Sequence, residues 1–120
     1  MPDLKISEMF EMQKELFEPH KDKWPPMTPE AGRNFLLFMV EEMGEAIAII
    51  KKKGDKAIMD DPDIRAAFCE EMADVLMYYH DTLLRYGITA EEISEAYLKK
   101  HAKNMGRDYQ AEYEKKYKED

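Results

Sequence analysis

Four carboxylates stand where apolar side chains are expected. Phe35, Phe38, Met39, Ala46 and Ile49 mark the apolar stripe of a helix. Counting by three and four from Phe35 reaches 38, 42, 45 and 49, so Glu42 and Glu45 fall on the side that should meet a core. A second stretch repeats the pattern: Ile64, Phe68, Val75, Tyr78 and Thr82 form the stripe, with Glu71 on it and Asp74 at its edge. In each pair the acids are three residues apart, which places both on one helix face a turn apart.

Burying four like charges is severely unfavourable unless they are neutralised. A divalent cation is the economical solution. Magnesium takes oxygen ligands and keeps several waters, and a looped calcium motif is absent. Di-iron bundles need Glu-x-x-His pairs. The residues three before His20, His80 and His101 are Phe17, Met77 and Leu98, so that pattern is missing. All-oxygen ligation favours Mg²⁺, with Mn²⁺ as a substitute. Gly44 interrupts the first acid helix at about 1 kcal/mol relative to Ala, which suggests a close approach there.

The elements that must position these acids are helical. Ala, Glu, Lys, Leu and Met dominate, and no Asn-Gly or Asp-Gly hairpin occurs. The first helix is expected from about Leu4 to Phe17, ended by Pro19. A Pro-rich loop holding Trp24 follows, and Trp24 is read as a packing residue, with stacking on a base as the alternative. Thr28 as N-cap and Pro29 at the first position open a second helix, which runs to Lys53 and Gly54. Lys51, Lys52 and Lys53 suit its C-terminus. A short helical turn is expected at Ala57-Ile58-Met59.

The third helix starts at Asp61 or Asp63 and runs to Tyr86, with Gly87 as its stop. Thr89 and Glu92 form a capping box for a fourth helix ending near Met105. Beyond Arg107, Tyr109, Tyr113 and Tyr117 recur every four residues, which fits either a further helical turn or a frayed tail. These elements make an all-α four-helix bundle. A single domain over residues 1–120 is expected, with its core at about 28–109 and a charged tail at 110–120.

The chain has 120 residues and a net charge of −8. An acidic surface repels phosphate backbones and anionic lipid, so neither a nucleic-acid polymer nor a membrane is an expected partner. No apolar run approaches a membrane span, and Met1-Pro-Asp-Leu-Lys lacks a signal peptide's apolar stretch. The single cysteine, Cys69, is read as a reduced, buried thiol, and the expected location is cytoplasmic. His80 is read as a satisfied interior histidine and Asp81 as a supporting or surface acid.

Glu41-Glu42-Met43-Gly44-Glu45, followed by Glu70-Glu71-Met72-Ala73-Asp74, resembles the Glu-x-x-Glu … Glu-x-x-Asp signature of the MazG-like all-α nucleoside triphosphate pyrophosphohydrolases. That group includes dimeric dUTPases, dCTP pyrophosphatases and phosphoribosyl-ATP pyrophosphohydrolase. Asn34 to Val40 resembles the lead-in to the acids. Lys100-His101-Ala102-Lys103-Asn104-Met105-Gly106-Arg107 resembles the family's Lys-x-x-x-Asn-x-x-Arg segment. The resemblance spans about residues 28–109.

It implies hydrolysis of a nucleoside triphosphate between the α and β phosphates, giving the monophosphate and pyrophosphate. By that similarity Glu42, Glu45, Glu71 and Asp74 coordinate Mg²⁺. Glu41 and Glu42 are the implied catalytic acids: Glu41 orients or deprotonates the attacking water, or adds a ligand. Lys100, Lys103 and Arg107 would face the outer phosphates, and Asn104 the phosphate or sugar. A house-cleaning role against canonical or damaged nucleotides is one expectation. Phosphoribosyl-ATP hydrolysis and a non-catalytic metal- or partner-binding module are the alternatives.

A homodimer or homotetramer is expected. So short a chain has little core of its own. Leu36, Leu37, Val40, Ile47, Ile50, Leu76, Tyr79 and Leu83 are apolar residues beyond the acid stripe that a partner subunit would cover. Members of the resembling family are typically dimers or tetramers.

Overall fold

Helix-forming residues punctuated by Gly and Pro give an all-helical chain. The computed structural model describes residues 2–107 and 109–117. Six helices form among them: α1 (Ile6–Phe17), α2 (Pro29–Lys53), α3 (Asp55–Asp60), α4 (Pro62–Arg85), α5 (Ala90–Met105) and α6 (Tyr109–Tyr117). A 3₁₀ turn, Glu18–His20, follows α1. The all-α class is as expected, and the short turn expected at Ala57-Ile58-Met59 is the longer α3. The Tyr-rich segment is helical through Tyr117, and the last three residues of the expected tail lie outside the described residues.

The chain divides into two compact units, 1–89 and 90–120. In the first unit α2 and α4 form the principal pair, and α1 and α3 each pack on α4. Gly32 meets Tyr86, Phe35 meets Tyr78, and Glu42 meets Glu71. Partner numbers fall as α2 numbers rise, so the two helices are antiparallel. Each boundary has a local cause. Asp61 Oδ1 accepts from the backbone N–H groups of Asp63 (3.0 Å) and Ile64 (3.4 Å), capping α4 beside Pro62. Gly54, at φ 86°, makes the turn between α2 and α3 that a Cβ would disfavour.

Thr28 caps α2 differently from the expectation. Its side chain makes no cap hydrogen bond, while its carbonyl accepts from the N–H groups of Ala31 (3.2 Å) and Gly32 (3.3 Å). Within the chain the close approach is at Gly32 and not at Gly44. A Cβ on Gly44 would meet nothing within 4 Å, whereas one on Gly32 would stand 2.6 Å from the Tyr86 ring. Gly32 is what lets the start of α2 lie against the end of α4. Cys69 is exposed on α4 rather than buried.

The apolar core is small: Phe10, Ala31, Phe35 and Ala46 are its buried members among the described residues. His80 extends it between α1 and α4, with Phe10 packed edge-on at 5.1 Å. Its Nε2 lies 3.2 Å from Met9 Sδ. A thioether only accepts, so Nε2–H donates, and Nδ1 is buried without a hydrogen-bond partner. Desolvation lowers the pKa of the ring.

The folded state therefore binds this proton less readily than the unfolded chain. Its stability contribution is complete above the ordinary histidine value and is lost as pH falls through the lowered one. Replacing His80 with Gln should flatten the fall in unfolding free energy between about pH 7 and about pH 5, by up to about 1.4 kcal/mol per pH unit. Denaturant titrations at several pH values measure it, and identical slopes in both proteins would contradict it.

Candidate active site

Two long helices in antiparallel register bring together acids 29 residues apart in sequence. Oxygens of Glu42, Glu71 and Asp74 lie within 4.8 Å of one another, and all three residues are half-buried. Glu42 comes from the middle of α2. Glu71 and Asp74 come from one face of α4. Glu71 has a raised pKa, first through desolvation, then through its hydrogen bond with Glu42 and the charges of Glu42, Asp74 and Glu45. The Tyr78 hydroxyl is also held protonated to higher pH, by desolvation and then by the charges of Glu42, Asp74, Asp81 and Glu41. A set of carboxylate oxygens that repel one another is the donor chemistry a hard divalent cation satisfies.

Glu45 does not join the three. At 100° per residue it lies about 80° around α2 from Phe35, whereas Glu42 lies about 20° from it. Glu45 is accordingly exposed, and it acts on Glu71 through its charge. Glu41 is exposed as well.

The basic residues expected to contact phosphate belong to the second unit. Lys100 and Lys103 are exposed on α5, and Asn104 is half-buried with its Oδ1 lacking a hydrogen-bond partner. Arg107 follows α5 and is half-buried. Its guanidinium donates to Glu112 through Nε at 2.9 Å and Nη2 at 2.7 Å. Tyr97 on α5 is 74 % exposed.

A cleft of about 360 Å³ opens beside Asp74. Trp24, Phe35, Phe38 and Tyr78 give it aromatic walls, and Asp74 and Asp81 give it acidic edges. Trp24 stacks on His20 with ring centroids 4.2 Å apart and planes within 9°. A larger groove, about 670 Å³, lies between α1 and α4 and is lined mainly by Met9, Met12, Leu16, Leu76 and Met77. None of the three clustered acids lines it, whereas Asp74 lines the smaller cleft.

The reading from sequence missed what holds the wall of that cleft. Arg85 and Asp81 are buried on α4 and paired at 2.6 Å. Their spacing of four residues was the available signal, but exposed ion pairs share it.

The comparisons with known proteins bear on this geometry. No curated protein matches the chain, and no solved structure matches it. The family model described as dATP/dGTP pyrophosphohydrolase matches residues 45–119. The matched segment contains Glu45, Glu71, Asp74, Lys100, Lys103, Asn104 and Arg107 and begins just after Glu42. Because that match spans well over half of the chain, the protein belongs to the dATP/dGTP pyrophosphohydrolase family, hydrolases that act on nucleoside triphosphates.

Proposed function

We propose that this protein hydrolyses dATP and dGTP to the monophosphate and pyrophosphate with the help of a divalent cation, Mg²⁺ by preference and Mn²⁺ as a substitute. The observation that carries the reading is the convergence of Glu42, Glu71 and Asp74 beside an aromatic cleft. These three residues hold the cation, with Glu45 adding negative charge from one turn away. When bound, the ion neutralises phosphate charge and lowers the pKa of coordinated water.

The chain's own groups do the rest. The cleft receives the purine base, whose flat face stacks on aromatic walls, and its volume falls in the range of small-molecule sites. Glu41 accepts the proton as water adds across the α–β anhydride, and one P–O bond breaks to release pyrophosphate. Lys100, Lys103 and Asn104 meet the phosphates. Arg107 does so by exchanging Glu112 for a phosphate oxygen, since both are bidentate acceptors for a guanidinium. Such an enzyme would remove unwanted nucleotides, a house-cleaning role in the cytoplasm.

Pyrophosphate release from a nucleotide panel, with and without Mg²⁺, tests this. Turnover of dATP and dGTP should require the cation. Glu42→Ala and Asp74→Ala should each lower turnover by at least about 100-fold. Circular dichroism should show both variants folded and no less heat-stable than the metal-free parent, because each removes like-charge repulsion. Near-parental turnover in either variant would contradict the metal site.

The same reading includes a homo-oligomer. Leu36, Leu37, Val40, Ile47 and Ile50 on α2 and Leu76 on α4 are 40–57 % exposed, while Tyr79 and Leu83 are half-buried. So much uncovered apolar surface beside so small a core fits subunit contacts. Light scattering at micromolar concentration should give two or four times 14.2 kDa, and a mass of 14.2 kDa would contradict it.

A further inference from the structure

Asp81 and Arg85 take no part in holding a cation, yet they are the most deeply buried charges among the described residues. Their side chains are 4 % and 0 % exposed. A buried ion pair is weak evidence for stability, because desolvation offsets its attraction and well-packed apolar residues often do as well. What this pair joins is therefore the informative feature.

Arg85 Nε donates to Asp81 Oδ1 at 2.6 Å, and Gln13 Nε2 donates to Asp81 Oδ2 at 3.3 Å. Arg85 Nη1 donates to the carbonyls of Pro25 (2.9 Å) and Pro26 (2.5 Å). The guanidinium carbon lies 3.7 Å from the centroid of the Phe35 ring. One side chain thus ties α4 to the Pro-rich loop and to an aromatic wall of the cleft, and through Asp81 to α1. Pro25 and Pro26 have no N–H to donate, so their carbonyls are what the loop offers to an anchor. Trp24 precedes them directly, and Trp24, Pro25 and Phe35 all line the cleft.

We propose that Arg85 is a positioning residue for nucleotide binding: by holding the Trp24–Pro25 wall against Phe35, it sets the shape of the cleft that takes the base. The proposal rests on the reading of that cleft given above. Arg85 acts through the loop and not on substrate. Lysine cannot replace it, since one ammonium does not reproduce a planar fork that bonds an acid and two carbonyls while stacking on a ring.

The test uses Arg85→Lys and Asp81→Asn, with dGTP as substrate in Mg²⁺. Trp24 is the chain's single tryptophan, so its fluorescence reports on the wall. Both variants should raise KM for dGTP by about tenfold or more, with kcat held within about threefold. Acrylamide should quench Trp24 more readily in the variants. In the parent, dGMP should protect it.

A folded variant with unchanged KM, or with a fall confined to kcat, would overturn the proposal. So would parental Trp24 quenching that dGMP leaves unaltered, a readout that stands even if neither variant folds. If the parent turns over dGTP while KM stays fixed in the variants, only the role of Arg85 fails. If the parent turns over neither dATP nor dGTP, the functional reading fails and this proposal fails with it.

Discussion

Like charges facing one another across the seam between α2 and α4 are the constraint on which this protein is built. A helix pair packs by turning its apolar stripes together. Here that geometry carries Glu42 onto Glu71 and Asp74. Two consequences follow from the same register. Packing alone brings the carboxylates together, so the acidic cluster forms as the helices dock. Burial first, then the hydrogen bond with Glu42 and the charges of Glu42, Asp74 and Glu45, raise the pKa of Glu71. The helix pair is thus the scaffold that gathers these acids.

Much of this was legible in the sequence because the signals were local. Pro29, Gly54, Pro62 and Gly87 set the helix limits to within a residue or two of those found. The acids at 42, 71 and 74 broke an apolar pattern, and that conflict pointed to their convergence. Glu45 shows where counting by three and four runs short. The accumulated angle takes it off the stripe, and it is exposed. The close approach expected at Gly44 is not made within the chain. The tertiary neighbour that makes a glycine necessary is Tyr86 against Gly32, and nothing in the local sequence of Gly44 distinguishes it from that case. Cys69 was misplaced because composition says nothing about which face of α4 it occupies.

The Asp81–Arg85 pair was illegible for a physical reason. Its spacing is that of any surface ion pair on a helix, and what buries it is a loop some 60 residues earlier in the chain. Long-range carbonyl acceptors leave no mark on the sequence around the donor. The same limit applies to the apolar residues of α2: their number was countable, but exposures such as 57 % at Leu37 and Val40 required the fold. A small core, a charged seam and uncovered apolar faces describe a chain with little burial of its own to stabilise it.

The proposed function requires that Glu42, Glu71 and Asp74 together hold a divalent cation. Anomalous diffraction from crystals grown or soaked with Mn²⁺ tests it most directly. An anomalous peak is expected at oxygen-ligand distance, about 2.0–2.3 Å, from carboxylates of all three residues. A Mn²⁺ peak bound elsewhere on the chain, or none at these acids when the ion is present in excess, would contradict it.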